Sequence, residues 1–483
     1  MAIAAESFVL DPGHTGTLQR QLQEIVTGGI LSGRFRPGDR MPSSRGLARH
    51  LGISRITVTL AYTELVANDY LTSRGRSGYF VSDSAPTPPV LPVGALPVED
   101  RVDWNAAMVR RFSAGPDLER PRDWRSYRYP FIYGQTDARL FDHRNWRRCA
   151  LQALGARDFE ATTSDSYGRD DALLVEQIVR HILPRRGIAA EPDQVLITLG
   201  AQNALWMVSR ILLTQDRLAA IEHPGYPALR TILGRSGARS VALQIDAAGL
   251  PPESVPPETD VVFVTPSHHC PTSATMPVAR RRELLARADR DDFLIVEDDY
   301  EFELAFAAPP APALKSLDRS GRVIYIGSFA KSLFPGLRLG YLVASAPFIA
   351  EARALRSLLV RHVPGHLQRA AAYFLEQGHY DAQIHRMARV YRERRATAEA
   401  AIAAHGLTAL GANTFGGSSF WMQSRDVPAE ILAARLRNRG VLIEPGGPFF
   451  GADDPGDRYR LAYSSIARED IPEGLRRIAE AGG

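Results

Sequence analysis

Residues 84–98, SAPTPPVLPVGALPV, hold five prolines and no charged side chain. Proline fixes φ and lacks a backbone N–H, so such a run cannot pair in a sheet or continue a helix, and it favours extended polyproline II geometry. The tract therefore cuts the chain into parts that fold separately. We read it as a semi-rigid linker over 84–125, between a small unit at 14–83 and a large one at 126–483 that ends in a smaller lobe near 380–483. A proline-rich docking motif is the other reading of that composition. At about 100–200 residues per domain, a chain of 483 residues predicts two to four folding units.

Composition removes several classes. Two cysteines, Cys149 and Cys270, cannot build a disulfide framework or a multi-cysteine zinc site. No apolar run reaches the roughly 18 residues that a membrane helix needs. The opening MAIAAESFVLDPGHTG lacks the basic start and apolar stretch of a signal peptide, so a cytoplasmic location is expected. The net charge of +4 says little, but among the 58 basic residues only Lys315 and Lys331 are lysines. Genomic codon bias explains that blandly. It still leaves any side-chain amine chemistry with two candidates.

In the small unit, Leu18, Leu22, Ile25 and Ile30 recur near helical spacing, and Gly28, Gly29 and Gly33 break the helix. Pro42-Ser43-Ser44 starts a second helix that ends at Gly52. Ser54 caps a third, running to Ala67 with Val58, Ala61, Tyr62 and Leu65 inward. LTSRGRSGYFV (71–81) is two β-prone runs around a glycine-rich turn, a hairpin signal. Helix, helix–turn–helix, hairpin is the order of a winged helix. The third helix would read the major groove from its first turn, with Arg55 and Thr57. Arg45 starts the preceding helix, and Arg74 and Arg76 sit at the wing tip. Nine arginines face six acids over 11–83, a modest excess that solvated surface arginines would also produce. The ordered pattern, more than the charge, predicts binding to double-stranded DNA.

From 126 onward, apolar strands alternate with amphipathic helices, which predicts an α/β unit with a mainly parallel sheet covered on both faces. The strands are QVLITLG, RLAAIEHPGY, DVVFVTPSHH, DFLIVEDDY, RVIYIGS and GLRLGYLV, with the helix VARRRELLARA among them. Ligands bind at the carboxyl ends of such strands, and four features lie there. Lys331 follows a strand among Phe329, Ala330, Leu333 and Phe334, a poor setting for a hydrated ammonium; an imine with an aldehyde cofactor resolves that conflict. Lys315, in PALKSLD, reads as a plain surface lysine. Glu297, Asp298 and Asp299 end an apolar strand before Tyr300, and carboxylates so crowded need cations. Metal ligation is one answer, without a supporting histidine cluster; pairing with a protonated pyridine nitrogen is the other. LITLGAQNAL is a strand–glycine–helix junction suited to phosphate, and Ser328 and Arg338 can complete that site. An amine, an acid, a phenol and a phosphate cradle match the needs of pyridoxal 5′-phosphate.

Two resemblances follow. Residues 18–81, through PGDRMPSSRGLA, LGISRITV and GRSGYFV, resemble the winged helix of GntR-family regulators. Residues 126–466, through VLITLGAQNAL, IEHPGYPALR, VTPSHHCPTSATM, VEDDYEFE, GSFAKSLFPGLRLGY and VLIEPGGPFF…YRLAYSSI, resemble fold-type I aminotransferases. The combination resembles the MocR/GabR group of regulators. The resemblance implies that Lys331 forms the Schiff base with pyridoxal phosphate. Asp298 pairs with the pyridine nitrogen, Tyr300 meets the ring's phenolic oxygen and Tyr226 stacks on the ring. Ala201, Gln202, Ser328 and Arg338 hold the phosphate. Arg460 receives the carboxylate of a small amino-compound effector, and Tyr167 reaches a partner subunit's phosphate. Arg45, Arg55, Thr57, Arg74 and Arg76 contact operator DNA, and a head-to-tail homodimer is implied.

One position departs from the enzyme pattern. Where catalytic aminotransferases usually carry Asn-Pro-Thr-Gly, this chain has Cys270-Pro271-Thr272-Ser273. A thiol is a weaker hydrogen-bond donor than an amide, so sensing is expected rather than steady turnover. An active aminotransferase with an accessory head is the rival reading, and a regulator that senses only pyridoxal phosphate is a third.

Overall fold

The computed structural model describes residues 2–86, 102–108, 121–135, 137–166, 168–411 and 416–482. The chain forms two compact units, Met1–Val109 and Arg110–Gly483. Most of the expected linker, at 87–101 and 109–120, lies outside the described residues, as does Tyr167. Among the described residues no helix is long and apolar enough to cross a membrane, and no group of three His, Cys, Asp or Glu could hold a metal ion.

In the first unit, hydroxyl side chains decide where helices begin, because they satisfy amides that lack a helical partner. Thr17 accepts from Arg20 N ahead of α1 (Leu18–Leu31), Ser43 from Gly46 N ahead of α2 (Ser44–Leu51), and Ser54 from Thr57 N ahead of α3 (Arg55–Ala67). Gly52, at φ 67°, ends α2 in the left-handed conformation that glycine adopts without strain. Strands β1 (Leu71–Ser73) and β2 (Tyr79–Val81) pair antiparallel in the register Leu71↔Val81. The core is Leu22, Val26, Ile30, Leu47, Val58, Ala61, Tyr62 and Leu65. Leu18 is not part of it: it is 48% exposed, and the inward stripe of α1 is Leu22, Val26 and Ile30. Phe8, ahead of residue 14, is fully buried in the same core and stacks on Phe35 at 5.5 Å.

The second unit contains β3 (Val195–Thr198), α4 (Ala201–Leu212), β4 (Leu218–His223), α5 (Pro227–Ser236), β5 (Arg239–Gln244), β6 (Val261–Val264), α6 (Val278–Asp291), β7 (Leu294–Asp298), β8 (Val323–Ser328) and β9 (Gly340–Val343). They build a seven-stranded sheet in the order β3-β9-β8-β7-β6-β4-β5. Strands β4 to β8 are parallel, and β9 runs antiparallel to both its neighbours. Parallel strands bury both faces, and β4, β6 and β8 are buried at every residue, hence their unbroken apolar sequences. The edge strand β5, RSVALQ, is mostly exposed; its polar pattern kept it out of the sequence reading.

A smaller lobe follows. Helix α7 (Ala346–Val360) still packs on β3 of the large sheet and on α4, and the lobe itself contains α8 (His379–Ala404), β10 (Thr408–Leu410), β11 (Ser419–Gln423), β12 (Glu444–Pro445), β13 (Arg458–Ala462) and α9 (Ile471–Gly482). Its four strands lie in the order β10-β11-β13-β12. The register sets Arg460 of β13 opposite Trp421 on one side and Glu444 on the other.

Candidate cofactor site and nucleic-acid interface

Gly340, the first residue of β9, pairs with Thr198 at the end of β3 and with Ser328 at the end of β8. Beyond β3, Gly200 turns the chain into α4 at φ 87°. The first amides of a helix have no helical partner and carry partial positive charge; those of Ala201 and Gln202 lie here. Arg338 holds a left-handed φ of 51°, and its Nη2 donates to Leu199 O at 3.1 Å. A β-carbon on Gly200 would sit 3.2 Å from that Nη2, so glycine is what lets the guanidinium close on the helix start. Ser328 Oγ, buried, accepts from Ala330 N at 3.2 Å. Ala201, Gln202, Ser328 and Arg338 are thus gathered at one sheet edge with positive character.

The three acids that end β7 have different surroundings. Glu297 accepts from the Leu314 and Lys315 amides, each at 2.9 Å. Asp299 Oδ2 accepts from Arg186 Nε at 2.6 Å and Tyr325 Oη at 2.9 Å. Asp298, between them, keeps an Oδ1 that is shielded from water and has no hydrogen-bond partner among the described residues. Burial, with the charge of Asp299, pushes its pKa up to about 7 against the pull of Lys331. Glu222 lines the same small cavity with Asp298 and Tyr226. It accepts from Thr265 N at 2.9 Å and Thr265 Oγ1 at 2.6 Å, and burial raises it to about 7 as well. A buried acid without a partner is costly. Asp298 Oδ1 suits a group that brings it a proton.

Lys331 Nζ lies 4.1 Å from the centre of the Tyr133 ring, and the Arg460 guanidinium lies 3.9 Å from the same centre. Tyr133 Oη donates to Glu301 Oε2 at 3.1 Å, and His268 Nε2 stands 2.9 Å from that oxygen. Burial raises the Glu301 pKa, but the neighbouring His268 holds it below the usual range on balance. Arg460 is buried; its Nε donates to Glu444 Oε2 at 2.9 Å and its Nη1 is 4.0 Å from Cys270 Sγ. Cys270, Trp421 and Phe449 form an apolar wall with Tyr226, Tyr300 and Phe450. Tyr300 Oη donates to His268 O at 2.8 Å. Burial pushes the Cys270 thiol up to about 11.

Lys315 is not the surface residue that its turn sequence predicts. Its Nζ donates to Val323 O at 2.7 Å and lies 3.6 Å from Asp318 Oδ2, leaving the side chain 17% exposed. The chain folds back at 318–323 and gives the ammonium two oxygens. Sequence reasoning missed Tyr133, Glu222, His268, Glu301 and Glu444. An acid inside the apolar run VLIEPGG was a readable sign for Glu444; FIYGQ gave none for Tyr133.

In the first unit, Arg45 and Arg55 are exposed in the first turns of α2 and α3, and Arg76 is exposed at the wing tip. Thr57 Oγ1 lies 2.9 Å from Ser54 Oγ and is drawn into the helix cap. Arg74 lies over the Phe80 ring at 4.7 Å and stands 3.6 Å from Asp83 Oδ2.

The family description "Bacterial regulatory proteins, gntR family" matches residues 18–81, and "Aminotransferase class I and II" matches 141–478. The chain is 58% identical to the HTH-type transcriptional regulator TauR of Rhodobacter capsulatus over 100% of both chains. It is 31% identical to the probable rhizopine catabolism regulatory protein MocR of Rhizobium meliloti over 98% of this chain and 95% of that one. The chain belongs to the MocR-type transcriptional regulators. This MocR-type regulator joins a GntR winged helix, a DNA-binding domain, to an aminotransferase class I and II domain. Among solved structures, α-aminoadipate aminotransferase LysN of Thermus thermophilus, complexed with N-(5′-phosphopyridoxyl)-L-leucine, is similar with a TM-score of 0.70 and 27% identity, covering 79% of this chain and 98% of that one. Kynurenine aminotransferase of Pyrococcus horikoshii shares the fold with a TM-score of 0.68 and 24% identity, covering 75% of this chain and 95% of that one.

Proposed function

We propose that this MocR-type regulator binds operator DNA through its winged helix and holds pyridoxal 5′-phosphate in its large unit to sense a small amino compound. The observation that carries the reading is Asp298, whose shielded Oδ1 has no hydrogen-bond partner among the described residues. The residues present fit the cofactor. A pyridine N–H meets the need of Asp298 Oδ1, and the Gly200 turn with Arg338 closed on it suits a phosphate. When bound, pyridoxal phosphate supplies an aldehyde that primary amines capture reversibly.

Each residue then has a part. Lys331 is the chain's amine at that aldehyde, and the Tyr133 face beside it keeps the Nζ from full hydration. Asp298 holds the proton at the ring nitrogen; Tyr226 packs against the ring. Ala201, Gln202, Ser328 and Arg338 take the phosphate. The Tyr300 proton is engaged with His268 O, so its oxygen meets the ring's phenolic oxygen either as an acceptor or after exchanging that partner. Arg460 receives the effector's acid. Glu444 occupies its Nε edge, which leaves the Nη side, next to Cys270, for the incoming group. Cys270, kept as a neutral thiol by burial, gives little help to turnover and supports sensing over transamination.

Exposed apolar side chains support a homodimer. Leu151, Leu154 and Phe159 are 60%, 56% and 59% exposed, and Leu358 is 86% exposed. Arg361, three residues beyond Leu358, pairs with Asp165, six residues beyond Phe159, at 3.1 Å. Large apolar side chains this exposed suit an association face. A DNA-bound regulator acts in the cytoplasm, at the nucleoid. The test is a panel of amino acids and amines added to the purified, cofactor-loaded protein, with the visible spectrum, keto-acid formation and operator affinity read together. A spectral shift with changed operator affinity and no keto acid supports sensing. Steady keto-acid production, with operator affinity unmoved, makes the protein an aminotransferase instead.

A further inference from the structure

Helix α3 buries Val58, Ala61, Tyr62 and Leu65, and its opposite face is unusual for a surface helix. Ile56 is 71% exposed and Leu60 is 50% exposed. Thr59 and Thr63 lie beside them, but their hydroxyls are turned back on the helix: Thr59 Oγ1 donates to Arg55 O and Thr63 Oγ1 to Thr59 O, each at 2.9 Å. What these threonines offer outward is methyl. From Ile56 to Thr63 the face carries no charge. Glu64, where charge resumes, is taken up by Gln19 at 3.0 Å and Gln23 at 2.6 Å.

Exposed apolar side chains grouped on one face call for a partner. The charges that α2 and α3 expose say which. Arg45 and Arg49 of α2 and Arg55 at the head of α3 are all exposed, so the partner presents apolar groups framed by negative charge. The major groove answers that description: thymine C5-methyl groups project into it between two phosphate backbones, and a recognition helix meets them from its first turn. We infer that Ile56 is a specificity-determining residue that packs on a thymine methyl of the operator, with Thr59 and Leu60 extending the contact. The inference rests on the winged helix being the DNA-binding head. It adds that part of the base readout is apolar rather than made by arginine alone.

The full-length protein first selects its preferred duplexes from a random double-stranded library. In the best duplex each thymine is then replaced singly by deoxyuridine, which deletes only the methyl group. Wild-type affinity is expected to fall about fourfold at one thymine or more in each half-site, the worth of one buried methyl. In Ile56→Ala the loss at that thymine disappears, while affinity for unrelated duplex stays unchanged. Selection of a defined sequence followed by indifference to every deoxyuridine overturns the inference and leaves the DNA-binding reading intact. So does an Ile56→Ala protein that keeps the full methyl dependence, or one that changes sedimentation but not methyl dependence, which would make the patch a protein interface. Failure to enrich any sequence removes the DNA-binding reading itself, and the inference with it.

Discussion

Asp298 and its two acidic neighbours show how one run of three carboxyls divides into separate tasks. Glu297 and Asp299 are held by backbone amides, Arg186 and Tyr325, and Asp298 is left facing the pocket. The difference has a thermodynamic consequence. Asp298 is raised to about 7, whereas an unfolded aspartate titrates near about 3.9. Between those values the folded, cofactor-free chain holds a proton that unfolding releases, so this group's contribution to stability falls as pH rises through the window. In Asp298→Asn the unfolding free energy of the cofactor-free protein, followed by urea denaturation from about pH 4 to 7, should decline less steeply by up to about one proton. An unchanged slope would show that Asp298 is ionised in the fold. The crowding of acids was legible in the sequence as a problem needing cations, but not its solution. Arg186 lies 113 residues from Asp299, a pairing that no local pattern encodes. Lys331 stood out in the sequence because a rare amine sits among apolar residues. Lys315 was misread because its partners, Val323 O and Asp318, come from a fold-back that its own neighbours do not announce.

Elements carry the next constraint, which is how closely strands and turns approach around the phosphate-facing edge. Gly340 lies where β3, β8 and β9 meet, and a β-carbon there would fall 2.8 Å from Gly327 O and 3.0 Å from Gly200 Cα. Both obstacles are backbone, so nothing flexible can yield. Gly340→Ala should cost about 1–3 kcal/mol of stability and weaken cofactor retention, because the Gly200 turn must move with it; equilibrium dialysis and thermal melting check both. Retained cofactor affinity with a wild-type melting curve would mean that the turn is not set by this contact. Elements were the most legible scale. Buried parallel strands announce themselves as apolar runs, and hydroxyl caps at Thr17, Ser43 and Ser54 mark helix starts. The edge strand β5 escaped because exposure gives it a polar sequence. Leu18 misled because it sits one turn ahead of the buried Leu22, in the same helical phase, and its exposure shows only in the fold.

At the scale of the whole molecule, a DNA-binding head and a cofactor-holding unit share one chain, and the proposed dimer adds a second copy. Leu358→Asp, placed at the most exposed large apolar side chain among the described residues, should convert the proposed dimer to monomer in sedimentation without unfolding the large unit. An unaltered dimer would move the interface elsewhere. The proline tract suggested a division into units, because that composition cannot join a sheet or helix; the two compact units divide at Val109 and Arg110. The surface that would carry the proposed dimer was not readable, because exposed apolar residues such as Leu154 and Leu358 are told from buried ones only once the fold is known. The account's central claim is that one nitrogen of this chain, Lys331 Nζ, binds the cofactor. Incubating the protein with pyridoxal 5′-phosphate, fixing any covalent link by borohydride reduction and mapping it by peptide mass spectrometry measures this directly. A stoichiometric adduct on Lys331, absent from Lys315 and lost in Lys331→Ala, is the predicted result; an unmodified Lys331, or label spread over both lysines and the N-terminus, would contradict it.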